Sequence, residues 1–579
     1  MKEDATKVLE YLRGRHYGAL YLTPETFCDD DRIQSAAGGL GVIADSYLYE
    51  LEDNHQLHKL TALQISLYCS HGYQRQVVKR VNGTSFMDVV YEKDPYPELT
   101  VDTGIRIRLI LADAPCTIAV MMPVEKRQHT TRLLLHTDIP ENTANYRMIT
   151  RTLYAEGHAT KYFSEDHKPW DNIDWLRILQ AAVLGVGSYY LIKELGITYD
   201  VLHLNESHPV FFLVHELGVI RKETNLFGEA YAKIQRKSFF TNHTLLESGN
   251  KRYGTHEVSR ILKHYAGFEE ENLRLLGQKS DYTFSMTDAA LFLVGPGHTN
   301  GASKLHTKIA NELWPGYDII PITNGVSSRY QHPEFKNLDR PSQIPLLKAH
   351  FKAEVFKVLK ERLRDAGWHK EIKTPSIDAV FVVWARRHQD YKRPGLVLHE
   401  DEFPLLKMFL EWNWMSFAWG GYVHPDDTAT MNKWNEHWHK FRDLPNTIAI
   451  FNYRLDLIRP LLKAASQIWL NTPRFGWEAS GTSGMGAGLH CSGNITINDG
   501  WVQEITGLDT FGSQEKGDIF TQYAYDAREL WKAVTRMLVL LRKNDPETLA
   551  RLFENKIIIE EKFSSKRMVQ DYIKKLYRM

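Results

Sequence analysis

The sequence predicts an α/β protein of two Rossmann-type, parallel-sheet domains, and three observations carry that prediction. First, 579 residues are more than one hydrophobic core organises, so at least two domains are expected. Second, short β-rich runs alternate with helical stretches almost throughout, the order that builds βαβ units and parallel sheets. Third, the pattern restarts. Around residues 326–345 the chain turns polar, with Arg340-Pro341-Ser342-Gln343, and a helical stretch then leads into a new apolar strand. The boundary is placed there, giving domains 1–330 and 331–579.

In order along the chain, residues 19–23, 201–204, 319–323, 379–384, 448–451 and 468–470 read as buried strands. Residues 175–195 and 456–465 have helical spacing. The apolar run 181–192, with Arg177 and Lys193 close by, is too short to span a bilayer and reads as a buried helix. The tail 546–579 is helical and Lys-rich, a candidate to cross back to the first domain. In open parallel sheets ligands sit at the carboxyl ends of strands, so the residues just after each strand are the candidate site residues.

Composition narrows the function. Lys plus Arg equals Asp plus Glu, 71 each, which argues against a broad nucleic-acid-binding surface. Cys28, Cys69, Cys116 and Cys491 are scattered without metal-ligand or disulfide spacing, which fits a reducing cytoplasm. His437-Trp438-His439 reads as an exposed helix rather than a metal site, and no metal is expected. The first residues, Met-Lys-Glu-Asp-Ala-Thr-Lys, lack the apolar core of a signal peptide, and no membrane partner is expected.

Ala37-Gly38-Gly39-Leu40-Gly41 follows an early strand-like region. Adjacent glycines let backbone approach a phosphate, and amides at a helix start favour an anion; a tight packing turn is the competing reading. Leu204-Asn205-Glu206-Ser207-His208-Pro209 follows a strand, where a single His is more often structural. Phe240-Thr241-Asn242-His243-Thr244 and Thr323-Asn324-Gly325-Val326 are polar loops, the latter by itself simply a turn. The run from Arg386 to Arg393 holds four cations in eight residues and begins where a strand ends. Arg offers a bidentate fork and Lys a point charge to phosphate oxygens; a solvated face is the plainer alternative. Asn452-Tyr453-Arg454, Glu478-Ala479-Ser480-Gly481-Thr482 and Asn498-Asp499-Gly500-Trp501 complete the set.

Together these segments resemble, in order from about residue 20 to residue 505, the α-glucan (glycogen, starch, maltodextrin) phosphorylases. The resemblance implies a GT-B-like fold whose two domains face a cleft. It places Gly39, Leu40, Glu206, His208, Asn324, Tyr453 and the amides of Ser480, Gly481 and Thr482 around substrate, and His243 against the transferred sugar. Arg387 and Lys392 would grip the phosphate that leaves or attacks, and Glu478 would hold a glucosyl hydroxyl. Together His243, Arg387, Lys392 and Glu478 are the expected catalytic group.

One position departs from the family. The lysine that carries pyridoxal phosphate as a Schiff base falls on Gly486, which has no amine. No cofactor is therefore expected, least of all a covalent adduct. Related synthases place a donor-binding Glu eight residues after the sugar-binding Glu, and that position is again Gly486. The expected function is retaining transfer of a hexosyl unit, foremost glucosyl, from a nucleotide-sugar donor to a glucan or other hydroxyl acceptor. Two alternatives stand beside it. One is a phosphorylase with non-covalent or no pyridoxal phosphate, using a sugar phosphate; the other is a catalytically silent carbohydrate-binding protein. A homo-oligomer is left open.

Overall fold

A computed structural model of the chain describes residues 2–28, 33, 35–93, 97–154, 174–245, 250–277, 282–454, 458–514 and 519–579. Among them the strands in chain order are β1 (His16–Leu22), β2 (Ala62–Leu67), β3 (His71–Val81), β4 (Thr84–Lys93), β5 (Thr100–Leu111), β6 (Ala114–Pro123) and β7 (Thr130–His136). There follow β8 (Thr198–Asn205), β9 (Ser238–Asn242), β10 (Arg252–Gly254), β11 (Thr283–Ser285), β12 (Thr299–Gly301) and β13 (Ile320–Pro321). The remainder are β14 (Val380–Ala385), β15 (Met415–Gly420), β16 (Thr447–Ile450), β17 (Ile468–Asn471), β18 (Gly493–Ile497) and β19 (Asp509–Phe511).

The chain divides into two compact units, and not into two contiguous blocks. The first unit is Met1–Gly72, Lys93–Ile322 and Met568–Met579; the second is Tyr73–Glu92 and Thr323–Arg567. The split at residue 330 therefore misassigns the β3–β4 hairpin, while the last twelve residues return to the first unit, the crossing for which the tail is the candidate. The hairpin belongs to the second unit because reciprocal amide bonds hold it there. The Met87 N–H donates to Asn435 Oδ1 at 2.7 Å while Asn435 Nδ2 donates back to the Met87 carbonyl at 2.9 Å. Gln76 and Asn452 exchange a second such pair at 2.6 and 2.9 Å.

The first unit contains a sheet of order β13-β12-β9-β8-β1-β2-β7-β6-β5. Strands β13 to β7 in that order pair in parallel, and β6 and β5 close one edge antiparallel. Strand β2 and the second half of β8 are buried on both faces, as in parallel sheets covered by helices. Helix Asp174–Leu195 is long and apolar enough to cross a membrane by composition, yet 83% of its apolar window is buried within the structure. It extends well past the 181–192 run and serves as a core helix. Met568, Val569, Tyr572 and Tyr577 fill the core against Tyr21, Tyr47 and Phe239. The Tyr577 hydroxyl lies 2.6 Å from His203 Nδ1, satisfying a buried polar ring.

The second unit contains a fully parallel sheet, β16-β15-β14-β17-β18-β19. Helix Thr428–Phe441, expected to be exposed, instead buries Trp434 and Trp438 against Trp419 and Phe451. Indole burial outweighs the polarity of the flanking histidines. Strand 319–323 shrinks to two residues, since the chain leaves the first unit at Thr323.

Candidate functional site

In each sheet the chain reverses direction at one place. In the first unit β1 leads to β2 on one side, whereas β8 returns on the other, so the switch lies between β1 and β8. In the second it lies between β14 and β17. The predicted residues cluster at the carboxyl ends of these strands, and the two clusters are described separately.

In the second unit Arg386 directly follows β14, and Glu478 lies in the loop after β17. Glu478 Oε2 accepts from Lys392 Nζ at 3.3 Å and forms an ion pair with Arg386 Nη1 at 3.5 Å. Burial pulls the Glu478 carboxyl up. The combined attraction of Lys392, Arg386 and Arg387 outweighs it, and the group is held below the usual carboxylate range. Burial brings the Lys392 ammonium down to about 8, against the opposing pull of Glu478. Arg386 Nε and Nη1 are buried without a hydrogen-bond acceptor among the described residues. A buried guanidinium with unused donors is an anion site.

The sequence picks out Arg387 and Lys392; beside Lys392, Arg386 also pairs directly with Glu478, and the charge of Arg387 acts on the same carboxylate. The last cation of the run, Arg393, is structural. It pairs with Asp526 at 2.6 Å and donates to the Thr472 and Pro473 carbonyls. Arg386 is legible in hindsight as the first residue beyond the strand.

Asp499 was not singled out for a role either. Its Oδ2 accepts from the Trp477 and Glu478 amides at 3.1 and 3.0 Å, and its Oδ1 from Gly500 at 2.7 Å, so it fixes the loop that carries Glu478. Burial pushes its carboxyl up to about 7, opposed by those amide bonds and reinforced by Glu478. Gly481 has φ 93, the left-handed region that glycine tolerates, and ends the loop at the start of helix Thr482–Gly488. The amides of Ser480, Gly481 and Thr482 have no acceptor among the described residues. The Asn324 side-chain oxygen is likewise buried without a donor, while its carbonyl accepts from Arg567. The Tyr453 ring is buried with the Arg459 guanidinium 4.9 Å from its centroid.

Gly486 does not leave open space. A Cβ built there would fall 2.7 Å from Lys463 Nζ and 3.2 Å from its Cε. The end of this lysine occupies the space a side chain at residue 486 would enter. Burial, then the charge of Arg459, brings the Lys463 amine down to about 7.

In the first unit Glu206, His208, His243, Gly39 and Leu40 lie at the ends of β8 and β9 and after β1. Glu206 sits at φ 76, strained for a non-glycine residue. Its Oε1 accepts from the His243 amide at 2.8 Å. Burial lifts its carboxyl to about 7, against its amide bonds and with help from Glu25. His243 Nε2 lies 2.6 Å from Asn205 Oδ1, which fixes the tautomer with the proton on Nε2. Burial holds its ring neutral, down to about 3. His208 Nδ1 is buried without a partner among the described residues.

The glycine loop differs from expectation. Its anion is the chain's own Glu25, whose Oε2 accepts from the Ala37 and Gly38 amides at 2.9 and 3.0 Å. Gly41 is required by close packing, since a Cβ there would fall 2.6 Å from Ala36 Cβ. Gly39 and Leu40 open helix Gly39–Asp53, whose first turn has no side-chain cap.

Two parallel-sheet units, each with a polar cluster at its switch point, define a GT-B-type scaffold. No family model matches the chain. It is 29% identical over 556 residues to an uncharacterised protein of Methanocaldococcus jannaschii, covering 94% of this chain and 97% of that one. It is 28% identical over 600 aligned positions to the maltodextrin phosphorylase of Thermococcus litoralis, covering 93% of this chain and 68% of the enzyme. It is 25% identical over 605 positions to the glycogen phosphorylase of Aquifex aeolicus, covering 93% and 83%. Over most of its length the chain is thus similar to the α-glucan phosphorylases, as a divergent relative of them.

Proposed function

We propose that the protein is a hexosyltransferase that moves a glucosyl unit between an α-glucan and phosphate, with the second unit's cluster as its phosphate-handling centre. The observation that carries this reading is the convergence of Arg386 and Lys392 on Glu478 at the β14/β17 switch point, with Arg386 Nε left without an acceptor among the described residues. Arg386, Arg387 and Lys392 would stabilise charge developing on the phosphate, and Glu478 would orient the sugar. We assign the neutral His243 ring and Glu206 of the first unit to sugar hydroxyls, as hydrogen-bonding groups. Because the maltodextrin and glycogen phosphorylases are among the proteins this chain resembles, a sugar phosphate is preferred here over a nucleotide-sugar donor.

Pyridoxal phosphate supplies this family with a phosphate group that exchanges a proton with the substrate phosphate. The Arg386 Nε donor fits such a group electrostatically.

Steady-state kinetics with orthophosphate and a maltooligosaccharide test the assignment. Lys392→Met and Arg386→Met should each lower kcat/KM for phosphate by ~10²-fold or more. Retention of wild-type kcat/KM in both variants would remove the phosphate from this cluster.

A further inference from the structure

Gly486 lies inside helix Thr482–Gly488 with no left-handed φ, so its backbone does not call for glycine. The atoms nearest to a Cβ there belong to Lys463, whose Nζ, Cε and Cδ all lie within 3.3 Å of the position it would take. Lys463 is carried by helix Ile458–Ala465. The end of that helix is clamped from below: Lys348 Nζ donates to the Lys463 carbonyl at 3.2 Å and to Ser492 Oγ at 3.1 Å.

The Lys463 amine itself makes no hydrogen bond or ion pair among the described residues. An ammonium held in this way, beside Arg459 and with no carboxylate, is costly. The amine accordingly stands near neutrality, at about 7. Around it, Arg459 acts on Lys463, Arg386 acts on Tyr453, and Arg459 lies over the Tyr453 ring. A poised amine in cationic surroundings suits an aldehyde that carries a phosphate.

We propose that Lys463 takes over the covalent anchoring that Gly486 has lost, forming an imine with a phosphorylated aromatic aldehyde of the pyridoxal phosphate type. The amine reaches from a neighbouring helix the space into which a side chain at residue 486 would project. The inference rests on the phosphate assignment above. In the reaction the neutral amine nitrogen bonds to the aldehyde carbon, and the carbonyl oxygen leaves as water with both amine protons. No oxidant or reductant is consumed.

The test is covalent trapping, read without any activity assay. Full-length protein is mixed with one equivalent of pyridoxal phosphate at pH 7, scanned for the imine absorbance band, reduced with borohydride and mapped by peptide mass spectrometry. Reduction makes the C–N bond permanent. An ordinary lysine, near 10.4, offers on the order of a thousandfold less neutral amine at this pH, which leaves Lys348, also lowered to about 7, and Lys392, at about 8, as the competing amines; the map should place the phosphopyridoxyl group on Lys463 and on neither of these. Lys463→Met should lose band and label while keeping the wild-type thermal transition. The double variant K463A/G486K, in which the collision is relieved, should regain the label at residue 486. Absence of label from Lys463, or equal labelling in Lys463→Met, overturns the proposal. Labelling at Lys463 without phosphate-dependent turnover would sustain it and overturn the function proposed above. Phosphate-dependent turnover without labelling would do the opposite.

Discussion

Glu478 and Glu206 are both buried carboxylates, and their surroundings drive them in opposite directions. Glu478 faces two cations and is held ionised; Glu206 faces amides and Glu25 and is lifted to about 7. The lifted group costs the fold stability once it must ionise. Its folded value of about 7 exceeds the ordinary 4.5, so the penalty is absent below 4.5 and complete above 7. Glu206→Gln should therefore stabilise the protein at pH 8 by about 1–3 kcal/mol, with the gain vanishing as pH falls below 4.5. Denaturant melts at the two pH values check this. Turnover should be bell-shaped in pH. It should rise through about 7 as Asp499 ionises and secures the Glu478 loop, and fall through about 8 as Lys392 loses its proton. Asp499→Asn should flatten the acid limb and leave the alkaline one in place, measured as kcat/KM against pH.

At the scale of elements, the loops after parallel strands carry the chemistry, and most of these were legible in the sequence. The strands 201–204, 379–384 and 468–470 were visible as apolar runs, and the residues after them do form the two clusters. Three contributions were not legible. Glu25 takes the glycine-loop amides and Asp499 holds the Glu478 loop through long-range bonds that no local pattern announces. Lys463 meets Gly486, 23 residues further along the chain, only because the helices that carry them pack together. The Thr323-Asn324-Gly325-Val326 motif also proved architectural in part. The Val326 amide donates to the Phe563 carbonyl at 2.9 Å, and that of Ser565 donates back to Val326 at 3.0 Å. A Cβ on Gly325 would fall 2.1 Å from the Ser564 carbonyl oxygen, and neither backbone can give way. Gly325→Ala should destabilise the protein by about 2–4 kcal/mol, read as a fall in denaturation midpoint.

For the whole molecule, the two-unit α/β architecture followed from chain length and βαβ alternation, whereas the exact division did not. A hairpin recruited by Asn435 and Asn452, and a terminal segment seated on Tyr21 and Tyr47, are fixed by tertiary bonds rather than by composition. The scaffold is that of the α-glucan phosphorylases, and the question it poses is which donor the second unit's cations serve. Isotope-labelled orthophosphate, incubated with the protein and a maltooligosaccharide, answers it. Label should appear in a hexose phosphate as the oligosaccharide shortens by one unit. An unlabelled sugar product, with nucleoside diphosphate released only when a nucleotide-sugar is supplied, would contradict the account.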